Sequence, residues 1–171
     1  HDRGSGEQAY RELRHGSIVH GMQILDPGRS RVPTAYYGED SGVGWAMQAL
    51  APEGARRVAV VGLGVGTVAA YGRPGDLFRF YELSPDVARL AGRYFTFLAQ
   101  SEADIEVVLG DARLNLEGEE PQAYDLMVLD AFNGDAIPVH LLTREAFDEY
   151  RRHLRSGGVI AVHISNRHVD L

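Results

Sequence analysis

The chain has 171 residues, 44% of them hydrophobic, which is enough for one domain with a sizeable core. It contains no cysteine, which excludes disulfides, thiolate metal sites and cysteine nucleophiles. Its formal net charge of -7 argues against a nucleic-acid-binding surface and is compatible with a cationic substrate.

The N-terminal part differs in pattern from the rest of the chain. Residues 1–9 are polar and without apolar periodicity, and we interpret them as a linker or a fusion remnant. Residues 10–40 contain the turn sequence Asp26-Pro-Gly-Arg29 between short apolar stretches, which favours a small β-hairpin region. Residues 41–171 are interpreted as one cofactor-binding domain, and its end just after an apolar strand leads us to expect truncation there.

Strand and helix patterns alternate from residue 56 onward, which predicts a parallel sheet with right-handed crossovers. A preceding helix over 41–50 is expected, capped by Asp40 or Ser41. The predicted strands lie near 57–62, 77–82, 105–109, 124–130 and 158–164, and the predicted helices near 67–71, 85–94 and 143–154. The predicted fold class is therefore α/β, a Rossmann-like parallel sheet behind a small N-terminal β-hairpin region.

A glycine-rich turn is the strongest local signal. An apolar run ends in Gly62, Gly64 and Gly66, and a second apolar run ends in Glu82. Glycines after a buried strand let the backbone approach a ligand, and an acid about 20 positions after the first glycine can meet ribose hydroxyls. A dinucleotide fingerprint would carry its third glycine at Thr67, so the observed G-x-G-x-G spacing favours a cofactor of the S-adenosylmethionine type. A tight turn in some other doubly wound domain is the alternative.

Acidic residues follow two further predicted strands. Ligands of such sheets bind beyond the carboxyl ends of the strands, where Asp111 and Asp130 are expected. Asp111 is equally well explained as a helix N-cap. Asp130 ends an apolar strand and precedes a turn-rich loop, 131–138, that is suited to closing over a substrate. No metal site is predicted, because the histidines form no ligand cluster of known spacing.

A family resemblance extends from residue 10 to residue 164. It is carried, in order and spacing, by residues 11–23, residues 33–38, the glycine turn, residues 81–82, residues 110–112 and residues 129–138. With these segments the chain resembles the polyamine aminopropyltransferases, the spermidine and spermine synthases, and in particular bacterial relatives fused to a transporter-like membrane region.

This resemblance implies a fold of the class I S-adenosylmethionine methyltransferase type and a transferase activity in polyamine biosynthesis. The enzyme would move the aminopropyl group of decarboxylated S-adenosylmethionine to a diamine such as putrescine. A cytoplasmic location is also implied, while a homodimer and a covalent fusion to a membrane region stay open.

The family's functional positions transfer to this chain by matched residues. Cofactor contacts are implied for Gly62, Gly64, Gly66, Glu82, Asp111 and Ala112, with Glu82 on the ribose hydroxyls and Asp111 against the adenine. Asp130 would orient the acceptor amine and help to remove its proton, since an ammonium is no nucleophile. Gln23, Tyr37 and Asp135 would contact the substrate.

Two acidic positions of the family pattern are replaced. Val65 stands where the family's glycine turn has an aspartate for the aminopropyl ammonium, and Asn133 corresponds to the second aspartate of its fourth-strand motif. A buried ammonium without a carboxylate is costly, so substrate recognition should differ unless Glu39, Asp40 or Asp135 substitutes. Val65 suits intact S-adenosylmethionine or methylthioadenosine equally well. Two alternatives therefore stand: methyl transfer from S-adenosylmethionine, and a non-catalytic nucleoside- or polyamine-sensing domain of a membrane protein.

Overall fold

A three-stranded antiparallel sheet opens the chain in the computed structural model, which describes residues 1–15, 18–50, 54–132 and 137–164. Its strands, in spatial order, are β1 (Asp2–Arg3), β2 (Tyr10–His15) and β3 (Ile18–Ile24). The small N-terminal β region is thus confirmed, but Asp26–Arg29 forms a turn after β3 and does not join the paired strands. β1 lies within the stretch interpreted as linker, and the Arg11 guanidinium donates to Asp2 at 2.6 and 2.8 Å.

Five parallel strands form the main sheet, and they confirm the predicted fold class. They are β4 (Arg57–Val61), β5 (Leu77–Glu82), β6 (Asp104–Leu109), β7 (Tyr124–Leu129) and β8 (Leu154–Val162). The spatial order is β6-β5-β4-β7-β8, so the chain reverses its direction of travel across the sheet between β4 and β7. In open α/β sheets that point is where ligands bind.

Helices cover both faces of the sheet, and the buried apolar residues divide into a cluster on each face. The α-helices are α1 (Gly42–Ala49), α2 (Pro85–Tyr94), α3 (Phe97–Gln100), α4 (Ala112–Gly118) and α5 (Arg144–His153). Four of these helices have an N-cap side chain that accepts a backbone N–H of the first turn. The N-cap residues are Ser41, Ser84, Asp111 and Thr143. Within the described ranges, no helix has the length and apolarity needed to cross a bilayer.

Several elements differ from the sequence prediction. The segment Thr67–Tyr71 is a 3-10 helix, the short helix α3 was not predicted, and α4 was indicated only by the interpretation of Asp111 as an N-cap. Strand β8 begins directly after α5, at Leu154, whereas the prediction began it at residue 158. Gly157, with a φ of 77°, resembles a turn signal in sequence and lies within β8 at an irregularity, where the register with β7 shifts between the pairs Tyr124–Leu154 and Leu126–Val159.

Candidate functional site

The glycine turn follows β4 at the point where strand order reverses. Gly62, Gly64 and Gly66 have φ values of 98°, 55° and 83°, all in the left-handed region that favours glycine. A Cβ on Gly62 would lie 2.5 Å from the carbonyl oxygen of Asp130. Only glycine therefore allows the ends of β4 and β7 to approach so closely, and this approach places Asp130 beside the turn.

Strand β3 of the N-terminal sheet packs directly on this turn. A Cβ on Gly64 would collide with the carbonyl oxygen of His20, and one on Gly21 would lie 2.6 Å from Cγ2 of Val65. Val65 is 1% exposed and belongs to an apolar cluster with Phe95 and Phe97. The residue that replaces the family's aspartate is thus a core residue between the two sheets.

Glu82 connects the turn to the end of β5. Its carboxylate accepts the backbone N–H of Leu63 at 3.0 Å and that of Ser84 at 2.8 Å. A carboxylate offers about four lone-pair sites, so these two bonds leave acceptor capacity for hydroxyl groups of a ligand. The next residue, Leu83, is 70% exposed and offers apolar surface at the same strand end. No motif or spacing in the sequence marks this residue.

Asp111 is the N-cap of α4, as the alternative interpretation of the sequence proposed. Its carboxylate accepts the N–H of Leu114 at 3.0 Å and pairs with Nε2 of His140 at 2.8 Å. Burial opposes its ionisation, but these two partners prevail and hold the pKa of Asp111 below its usual range. The His140 contact ties the segment after β7 to the start of α4, where Ala112 is buried.

Asp130 follows β7 and is 9% exposed. One carboxylate oxygen accepts from the hydroxyl of Tyr37, and the other contacts Nδ1 of His163 at 2.6 Å. Burial raises the pKa of Asp130, while the hydrogen bond and charge of His163 oppose that rise. The structure thereby joins three sequence-distant side chains into one hydrogen-bonded cluster.

Aromatic rings surround this cluster. The ring centroid of Tyr36 lies 4.5 Å from that of Tyr37 and 4.0 Å from that of His163, and Phe132 approaches His163 edge-on at 4.9 Å. Burial raises the pKa of Tyr36, and the charge of Asp130 acts in the same direction. Such a setting, one buried carboxylate among ring faces, suits a cationic or planar nitrogen group.

His163 was not among the predicted site residues, although the rule that found Asp130 applies to it. The predicted last strand extended to residue 164 and therefore included His163, so His163 was not recognised as a strand-end residue. The strand ends at Val162, so His163 is the first residue after β8 at the edge that carries Asp130.

Gln23 hydrogen-bonds to residues outside the Asp130 cluster. Its amide nitrogen donates to the carbonyl of Ser30 at 2.8 Å and to Oγ1 of Thr96 at 2.7 Å, and its oxygen accepts the N–H of Thr96 at 3.0 Å. These bonds join β3 to the α2–α3 connection and are not shared with the Asp130 cluster. Asp135 and Asn133 lie outside the described residues. In the part of the chain that the structure describes, no group of His, Asp and Glu has an arrangement that could hold a metal ion.

Curated relatives are similar to parts of this chain. A polyamine aminopropyltransferase of Vibrio vulnificus is 40% identical over 114 residues, which are 61% of this chain and 36% of that protein. A probable polyamine aminopropyl transferase of Bifidobacterium longum is 31% identical over 163 residues, 91% of this chain and 33% of that protein. The chain thus spans about a third of the length of both. An N-terminal histidine N-methyltransferase of Emericella nidulans is 32% identical over 109 residues, 60% of this chain and 19% of that protein. No protein-family model matches the chain.

Solved structures share the fold. A probable spermidine synthase from Corynebacterium glutamicum has a TM-score of 0.66 at 20% identity, covering 95% of this chain and 62% of that one. Human methyltransferase-like protein 13, solved with SAH, has a TM-score of 0.57 at 20% identity, covering 68% of this chain and 60% of that one. At this identity the likeness establishes the fold alone, and it confirms the predicted class I methyltransferase type.

Proposed function

Because the chain belongs to the polyamine aminopropyltransferase family, we propose that it is a transferase that alkylates an amine from an adenosyl sulfonium. The donor is decarboxylated S-adenosylmethionine, held at the glycine turn and by Glu82, and the acceptor is a diamine such as putrescine. One observation carries the proposal: Asp130 is a buried carboxylate, ringed by aromatic side chains, at the switch point beside the turn. Such a group attracts an ammonium and can orient it toward a sulfonium seated on the turn.

The reaction needs an amine lone pair and a thioether leaving group. An acceptor that arrives as an ammonium loses one proton, and the free amine then attacks the aminopropyl carbon next to the sulfonium. A nitrogen–carbon bond forms, the carbon–sulfur bond breaks, and its electrons stay on sulfur as methylthioadenosine leaves. Asp130 supplies the negative charge that binds the ammonium, and the hydroxyl of Tyr37 holds one of its oxygens.

Binding followed by product analysis tests the proposal. Decarboxylated S-adenosylmethionine, S-adenosylmethionine and methylthioadenosine are titrated into the protein by calorimetry, and each ligand that binds is incubated with putrescine. Preferred binding of the decarboxylated compound and formation of spermidine support aminopropyl transfer, and Asp130→Asn should abolish the product without abolishing methylthioadenosine binding. Binding without any product favours the sensing alternative, and no binding of the three overturns both aminopropyl transfer and nucleoside sensing.

A second candidate, methyl transfer to nitrogen, is favoured by Val65. Because this side chain is buried between the sheets, it offers an aminopropyl ammonium no carboxylate at the family's usual position. The similarity to the N-methyltransferase of Emericella nidulans supports the same candidate. Incubation with S-adenosylmethionine and either putrescine or a peptide with an N-terminal histidine, read by mass spectrometry, distinguishes the two. A gain of one methyl group, with no aminopropyl product from the decarboxylated donor, favours this candidate.

A further inference from the structure

We propose that Nε2 of His163, oriented by Asp130, is the group that takes the proton from the acceptor nitrogen. This inference rests on the proposed function, since it assigns a step of amine alkylation. The acceptor ammonium gives one proton to Nε2, and the imidazole becomes an imidazolium. The resulting amine attacks carbon, the sulfonium leaves as a neutral thioether, and the product is a secondary ammonium. The imidazolium then returns its proton to water.

The contact between Asp130 and His163 decides which ring nitrogen can act as a base. Nδ1 of His163 lies 2.6 Å from Oδ1 of Asp130. An ionised carboxylate can only accept hydrogen bonds, so Nδ1 carries the proton of the neutral ring and Nε2 carries the lone pair. The same logic governs the aspartate–histidine pairs of hydrolases, where the carboxylate fixes the tautomer and stabilises the imidazolium.

Asp130 itself is less well placed to receive the proton. Its side chain is 4% exposed, whereas that of His163 is 20% exposed. Both carboxylate oxygens already have partners, the Tyr37 hydroxyl on one and the imidazole on the other. A proton acceptor must come within hydrogen-bond reach of the substrate nitrogen, and the imidazole edge is the more accessible of the two.

The aromatic rings around His163 fix the orientation of its imidazole ring. Tyr36 lies against one side, with 4.0 Å between ring centroids and 32° between planes, and Phe132 meets the ring at 63°. Among the residues that the structure describes, the titratable groups that face the pair are the phenols of Tyr36 and Tyr37. Burial raises the pKa of the Tyr36 hydroxyl, so that phenol stays neutral in the pH range in which histidine titrates.

The tautomer can be measured without any enzymatic activity. Long-range proton–nitrogen NMR spectra of the uniformly nitrogen-labelled protein distinguish a neutral imidazole protonated at Nδ1 from one protonated at Nε2. The signals of His163 are assigned by their loss in His163→Asn. We expect the Nδ1-protonated form in the wild type and a shift toward the Nε2-protonated form in Asp130→Ala. A wild-type ring protonated at Nε2 overturns the inference, whatever the protein is found to catalyse.

Two variants separate a proton acceptor from a positioning residue. His163→Asn keeps an N–H donor that faces Asp130 but has no basic nitrogen, and His163→Ala removes both. With the donor and acceptor pair that the wild type turns over, we expect both variants to lose about 10²–10⁴-fold in rate. Methylthioadenosine affinity should stay within about twofold, because general-base catalysis acts on the chemical step.

Added imidazole should partly restore the reaction rate of His163→Ala. It would not do so if His163 were a purely structural group. The pH–rate profile of His163→Asn should also lack the wild-type limb that reports the base. His163→Asn at the wild-type rate, with methylthioadenosine bound normally, overturns the inference and leaves the proposed function standing. If the wild type does not bind methylthioadenosine, the proposed function is overturned instead.

Discussion

Val65→Asp would restore the carboxylate that the family places in the glycine turn, and we expect it to destabilise the protein rather than improve aminopropyl transfer. Val65 is 1% exposed and packs with Phe95 and Phe97. Its side chain also faces Gly21 of β3, where a Cβ would lie only 2.6 Å from its Cγ2. A carboxylate here would have no room to reach solvent without parting the two sheets.

The expected cost has two parts. Removing a fully buried valine side chain forfeits about 1.5–3 kcal/mol of apolar burial. A buried polar group without a partner costs about 1–3 kcal/mol more, and an ionised one costs enough that the carboxyl protonates instead. We therefore expect Val65→Asp to lower the free energy of unfolding by about 3–5 kcal/mol, a large share of the roughly 5–15 kcal/mol typical of a domain.

Val65→Asn is the matched control, because it has nearly the shape of aspartate and no titratable group. Burial raises the pKa of the new carboxyl above its unfolded value of about 3.9. The stability of Val65→Asp relative to Val65→Asn is therefore greatest at a pH below that unfolded value, and it is lost as the pH rises through the folded pKa. Urea unfolding followed by far-ultraviolet circular dichroism should show the two variants nearly equal at pH 4 and Val65→Asp weaker at pH 8.

The opposite result would refute this reasoning. If Val65→Asp matches Val65→Asn in stability at pH 8 and also raises spermidine formation, the side chain at this position must face the donor. The family's cation contact could then be rebuilt by one substitution, and the buried cluster would not be what separates this chain from its relatives.

Three further substitutions test other contacts. Asp76→Ala leaves the 6% exposed Arg56 without its ion-pair partner, and urea unfolding should show a loss of about 3–5 kcal/mol. Burial opposes ionisation of Asp76, but Arg56 holds its pKa below the usual value, so the wild-type advantage should disappear as the pH falls through that pKa. Tyr37→Phe removes the buried hydroxyl bound to Asp130, and it should lower the free energy of unfolding by about 1 kcal/mol and slow the proposed transfer about fivefold; an unaltered rate contradicts this role. Glu82→Gln should weaken methylthioadenosine binding by about tenfold or more in calorimetry, because charged acceptors make the stronger hydrogen bonds; equal affinity would remove Glu82 from the site.

The parallel sheet could be predicted because its central strands are continuous apolar runs. Val58–Val61 and Leu126–Leu129 are almost fully buried, and such runs separated by helical patterns specify a doubly wound sheet. Short elements were less accessible to sequence reasoning. The two residues of β1 and the four of α3 contain too few positions to show any period.

The site was predictable where it depends on strand ends and not where it depends on distant pairing. Asp130 follows an apolar strand, which marks it in the sequence. Its partners are not marked by any strand end: Tyr37, indicated only by the family resemblance, is 93 positions away, and His163 is 33 positions away, just after a strand whose end was misplaced by two residues. Gln23 shows the converse, since a polar residue in a family motif is here hydrogen-bonded between β3 and the α2–α3 connection.

The glycines that first suggested a nucleotide site are required by the protein's own packing. A Cβ on Gly62 would meet the backbone of Asp130, and one on Gly64 would meet the backbone of His20. Both residues would therefore have to be glycine even if no ligand ever bound, so the turn alone is weak support for a cofactor. The stronger support is the close approach of the ends of β4 and β7, because it places a buried carboxylate and its imidazole partner beside the turn. An acid at 130 paired with a base after β8 is accordingly the feature that should decide whether a similar chain shares this chemistry.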